Sequence, residues 1–148
     1  MQFMLLMIPK VYQDPKGDRT LDFAPPPEAV ARMTKYNERL AKAGALLAGD
    51  GLHPPEEGVR VAFHGGKPQV TDGPYAESKE VLGGYWIIRA DSKEEAVEWV
   101  KQCPADDGDV IEIRQVFDVA EWPEDARKAA ENETVREAVE ANARRTQR

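Results

Sequence analysis

The side chains able to do chemistry are few in this sequence, and they gather in two loops. There are two histidines, His53 and His64, two serines, Ser78 and Ser92, and one cysteine, Cys103. His53 stands in Gly49-Asp50-Gly51-Leu52-His53-Pro54-Pro55, where two glycines and two prolines mark a fixed turn rather than a regular element. A histidine held rigidly in a loop can serve as general acid or base, because imidazole titrates near neutrality. The plainer reading is a turn residue whose ring meets a backbone carbonyl. The second loop opens with Asp72-Gly73-Pro74-Tyr75 and runs on through Glu77, Ser78, Lys79 and Glu80. Asp72 can close an Asx-turn on the following backbone, which is a structural role. In the chemical reading His53 and Asp72 are the catalytic pair, while Tyr75 and Lys79 steady developing negative charge. Tyr75, Lys79 and Glu80 then line a substrate cleft together with Glu112 and Arg114. His64 falls at a hairpin tip and reads as an exposed turn residue.

Other chemistries lack their residues. No HExxH or CxxC is present, and two histidines on different loops make no zinc site, so no metal is expected. The glycines match neither a phosphate-cradling loop nor a dinucleotide fingerprint, so no cofactor is expected. Ser92 precedes Glu95 by three residues and reads as a helix cap, which leaves no hydrolase triad. Cys103 reads as a structural thiol. With 20 Lys and Arg against 27 Asp and Glu, the formal charge is −7. That sign disfavours direct nucleic-acid binding and anionic membranes. A lone cysteine, a first apolar run without a basic flank, and no stretch near the ~20 apolar residues of a span point to the cytoplasm.

These loops need elements to hold them. Residues 2–8 (QFMLLMI) form a short continuous apolar run, the pattern of a strand covered on both faces. Residues 10–27 read as loop. A helix is expected over about 28–43, since Ala29, Met33, Tyr36 and Leu40 share one face and Gly44 can stop it. Residues 59–63 alternate as a half-buried strand, His64-Gly65-Gly66-Lys67 as a hairpin turn, and 68–71 as the returning strand. Strands at 84–90 and 109–117 flank a helix from Ser92 to about Gln102. In order this is a ferredoxin-like β-α-β-β-α-β domain of α+β class with an inserted hairpin, over 1–118. Residues 119–148 read as a C-terminal helical extension, with one peripheral helix over about 123–145, laid on the domain or its partner; a solvated tail is the alternative. Helices would cover one sheet face. Glu112 and Arg114 fall on the other among apolar neighbours, a mixture that a second copy of the chain would shield, so a homodimer is expected.

Several spaced blocks carry a family likeness: residues 48–55, residues 67–80 around Asp72-Gly73-Pro74-Tyr75, and Leu82-Gly83-Gly84-Tyr85-Trp86. Together with Phe3-Met4-Leu5-Leu6 and Tyr36-Asn37-Glu38, they resemble the YCII-related proteins of the DGPF type over about 1–117. Tyr75 stands where that tetrapeptide usually ends in phenylalanine. The resemblance implies a dimeric α+β barrel, a bacterial source, and genes often found beside extracytoplasmic-function sigma factors. It implies no settled activity. Two readings stay open. One is a metal-free enzyme using His53 and Asp72 on a small organic metabolite, lyase- or isomerase-like. The other is a non-catalytic small-ligand-binding or regulatory module associated with a sigma factor. A purely structural role for both loops also stands.

Overall fold

The apolar run at the start becomes the strand β1 (Gln2–Ile8), a central strand paired on both of its edges. Its neighbours are β5 (Gly84–Arg89) and β6 (Val110–Gln115), with β2 (Leu46–Gly51) outside β5. The sheet order is therefore β2-β5-β1-β6, antiparallel throughout. This is the ferredoxin-like α+β arrangement. The sheet is open, with β2 and β6 as its edges, so one chain closes no barrel. The structure is a computed structural model that describes residues 1–13, 25–73 and 80–146. The chain divides into two compact units, Met1–Val116 and Phe117–Arg148.

Two expectations for the first unit are corrected. The glycine-rich segment after Ala48 is not all turn, because Gly49, Asp50 and Gly51 complete β2 after a bulge between Leu46 and Ala48. Glycine is tolerated there because the partner strand crowds in: a β-carbon on Gly49 would sit 2.7 Å from the Trp86 ring. The turn proper is a single 3₁₀ turn, Pro55–Glu57. The segment read as loop after residue 9 also begins with a short helix, α1 (Lys10–Gln13).

The long helix α2 (Pro27–Lys42) carries proline in its first turn, where a missing N–H costs nothing, and Gly44 ends it at φ +69°. Helix α3 (Lys93–Val100) starts from the capping box: Glu95 N–H donates to Ser92 Oγ at 3.1 Å. The Glu95 carboxylate accepts from Asp91 N–H at 2.6 Å. Both helices cover one sheet face. Phe3, Leu5, Trp86 and Ile88 meet Tyr36 and Leu40 of α2 and Ala96 of α3, all buried. Each such large apolar side chain contributes roughly 1.5–3 kcal/mol. The inserted hairpin, β3 (Val59–His64) with β4 (Lys67–Asp72), is a separate two-stranded sheet. Gly65 and Gly66 supply the positive φ its turn requires.

Helices α2 and α3 do not cover the opposite face of the four-stranded sheet. Register places Met4 between Ile87 and Arg114, and Leu6 between Tyr85 and Glu112, so oily and ionic groups share this face. In the second unit the single expected helix is two, α4 (Glu124–Ala130) and α5 (Glu133–Thr146). Asn132 makes the break by accepting the Val135 N–H at 3.0 Å, starting a new helix instead of continuing the old one. Phe117 and Trp122 meet edge to face at 6.3 Å within this unit. Among the described residues no helix is long and apolar enough to cross a membrane.

Candidate functional site

Along α2 the apolar face is buried at Tyr36 and Leu40 but only half-buried at Ala29 and Met33. What lies beneath explains the difference. At that end of the sheet the floor is Gly49 and Gly51 of β2 and Gly84 of β5, with no side chains to rise against the helix. A cleft of about 480 Å³ is left, walled by Met7, Met33 and Trp86 and edged by Val30, Pro104 and Ala105. Its size suits a small organic molecule, since such sites run about 300–1,000 Å³.

The polar groups around this cleft are few and mostly committed. Trp86 Nε1–H donates to Asn37 Oδ1 at 2.9 Å, which fixes the indole and leaves the Asn37 amide N–H groups for another partner. Tyr36 meets Trp86 edge to face at 6.2 Å and donates its hydroxyl proton to the Trp99 carbonyl at 3.1 Å. Burial raises the Tyr36 pKa, so that proton stays on. Asp109 is used up structurally, accepting from Lys10 N–H and Asp106 N–H, both at 2.9 Å. At the rim Arg32 lies 3.9 Å from Asp106, an exposed pair that can part for a ligand at little cost.

Among the described residues, those singled out from sequence do not line this cleft. His53 is exposed, and the carboxylate beside it is Glu57, with Nδ1 to Oε2 at 3.0 Å. His53 follows Gly51 of the cleft floor by two residues, and Leu52 N–H bonds the Gly83 carbonyl on the way. Asp72 ends β4 opposite Val59, and its carboxylate bonds no described residue. The neighbouring Gly73 has a steric duty: a β-carbon there would collide with the Pro55 carbonyl oxygen. Its N–H also bonds the Gly58 carbonyl at 2.9 Å. The Asp72-Gly73 pair is thus locked onto the 3₁₀ turn that follows His53. Glu80 is exposed, and Tyr75 and Lys79 lie outside the described residues. Glu112 and Arg114 stand two apart on the open sheet face, both exposed.

Sequence reasoning passed over Glu56 and Glu57. These consecutive glutamates diverge, Glu57 to His53 and Glu56 inward, where its Oε2 is buried with no hydrogen-bond partner among the described residues. The Tyr12 pKa is raised by burial and further by the Glu56 charge. The spacing of His53 and Glu57, four apart across a turn, was the available signal. Cys103 packs against the core, and burial with the nearby Asp109 pushes its thiol up to about 11. Among the described residues no three His, Cys, Asp or Glu side chains gather as a metal site.

The family model for the YCII-related domain matches residues 1–122. No curated protein matches the chain. The chain belongs to the YCII-related domain family.

Proposed function

For this member of the YCII-related family, we propose that the cleft under α2 binds a small, largely apolar organic molecule, and that the protein works as a homodimer. The carrying observation is the glycine floor. A concave, mostly apolar cleft with a few polar groups at its edge is the usual form of a small-molecule site. Three residues without side chains at the same end of two paired strands keep it open. The walls favour a flat, weakly polar ligand, with Asn37 as the orienting hydrogen-bond donor and Arg32 as the mobile rim. Ala29→Trp tests this by filling the cleft from the helix side. In calorimetric titrations with indole, benzaldehyde and catechol at millimolar concentration, the parent protein should bind at least one probe and the variant none. Equal binding by both would overturn the assignment.

The His53–Glu57 contact favours a catalytic extension. A carboxylate on Nδ1 orients the imidazole and leaves Nε2 to move a proton. In this reading His53 is the acid or base and Glu57 orients it. The class of reaction is proton transfer next to a carbonyl. In D2O, the protein should speed deuterium uptake at the α-carbon of small aryl ketones by roughly 10²–10⁴-fold. His53→Gln should lose that acceleration while still binding the ketone. No acceleration by the parent protein contradicts it.

The dimer reading is supported by the open sheet face. Met4, Leu6 and Ile87 are half-buried there, and Glu112 and Arg114 make no ion pair with a described residue. A two-fold axis over β6 would let Glu112 of one copy meet Arg114 of the other, reciprocally.

A further inference from the structure

Among the described residues, four charged ones border the cleft under α2: Arg32, Asp50, Asp106 and Asp109. Two are committed elsewhere. Asp50 stands opposite Tyr85 in the ladder and accepts its hydroxyl proton at 3.4 Å. Both side chains lie on the sheet face turned away from α2, since Trp86 next to Tyr85 points toward the helix. Asp109 gives one carboxylate oxygen to Lys10 N–H and the other to Asp106 N–H, both at 2.9 Å. That leaves one cation and one anion, Arg32 and Asp106, side by side at 3.9 Å. The pair is loose, with the Arg32 side chain 56% and the Asp106 side chain 85% exposed, so either can exchange its partner for a ligand. The Asp106 backbone is nevertheless fixed, because Asp109 N–H donates back to the Asp106 carbonyl at 3.1 Å.

We infer that the cleft takes a zwitterion with an apolar body, namely an α-amino acid with an aromatic or other apolar side chain. The inference rests on the small-molecule cleft proposed above and names the head that its ligand carries at the mouth. The body lies against Met7, Met33 and Trp86, the carboxylate meets Arg32, and the ammonium meets Asp106. A guanidinium offers a carboxylate a fork of N–H donors, and a carboxylate accepts from an ammonium. The two charges of an α-amino acid are carried on one carbon, so their partners must be neighbours, as Arg32 and Asp106 are. A ligand with a single charge fits worse. An anion drawn to Arg32 lies beside the Asp106 carboxylate, and a cation drawn to Asp106 lies beside the Arg32 guanidinium. A head with both charges replaces one loose ion pair by two and leaves no charge at the mouth facing its like.

The test is calorimetric titration of the full chain with L-phenylalanine, phenethylamine and 3-phenylpropionate, which carry both charges, the ammonium alone and the carboxylate alone on one ring. L-phenylalanine should bind about 5-fold more tightly than either analogue, the upper worth of one exposed ion pair. Arg32→Gln should erase its advantage over phenethylamine, and Asp106→Asn its advantage over 3-phenylpropionate. Both positions are exposed, and unchanged circular dichroism would show that the variants keep the fold. No advantage for L-phenylalanine while benzaldehyde, indole or catechol still binds overturns the zwitterion and leaves the cleft standing. If either advantage survives its substitution, other groups hold the head, which also overturns it. Failure of every compound, the neutral probes included, removes the cleft and its zwitterion together.

Discussion

At the scale of single residues, Gly73 is held against the 3₁₀ turn Pro55–Glu57 by a close approach to the Pro55 carbonyl and a hydrogen bond to the Gly58 carbonyl. The tetrapeptide beginning Asp72-Gly73 drew attention for its carboxylate, yet Gly73 makes the visible contact, pressed on the Pro55 carbonyl where no β-carbon fits. Two segments more than a dozen residues apart meet there, and local turn chemistry carries no trace of such a contact. Gly73→Ala should therefore destabilise the protein by about 1–3 kcal/mol, an overpacking cost, read as a lower urea midpoint. Asp72→Asn should stay within about 0.5 kcal/mol, as at an ordinary surface position. His53 was legible as a rigid loop histidine, but its carboxylate was sought on a distant loop and found four residues away. Cys103 gives a further expectation. Its thiol at about 11 stands above the ordinary 9.0, so burial holds it protonated. Two pKa units mean roughly 100-fold less thiolate at pH 8, and iodoacetamide should alkylate it about that much more slowly than free cysteine. The sign for stability follows: a raised acid pKa favours the fold below pH 9 and loses that contribution as pH rises through 11. Alkylation at the free-cysteine rate would show Cys103 to be unburied.

Elements were legible where periodicity and punctuation agree. β1, α2 and α3 have both an apolar pattern and a stop or cap, and they lie close to where sequence placed them. Ser92→Ala removes the α3 cap and should cost about 1 kcal/mol, measured by thermal unfolding; Ser92→Asp should restore it. β2 was missed because Gly49 answers to the Trp86 ring on the neighbouring strand, a contact that tertiary packing supplies and a local pattern does not. The same absence of side chains that hid the strand opens the cleft above it. The break before α5 was missed because one asparagine in an alanine-rich run weighs little in propensity, yet its amide starts a helix.

Across the whole molecule, the order of apolar and helical segments was enough for the ferredoxin-like plan, because right-handed returns to one sheet leave few alternatives. The cleft under α2 was not legible, since it is defined by what is missing between a helix and a sheet. The account depends on that cleft being a place where molecules bind. Trp86 carries a reporter inside it, an indole N–H bonded to Asn37, while Trp99 and Trp122 carry indoles that do not line it. In two-dimensional NMR of ¹⁵N-labelled protein titrated with indole, benzaldehyde or catechol, the Trp86 indole signal should move progressively with at least one probe, with the Trp99 and Trp122 signals fixed. Stationary Trp86 at millimolar probe, or equal movement of all three indoles, would contradict it.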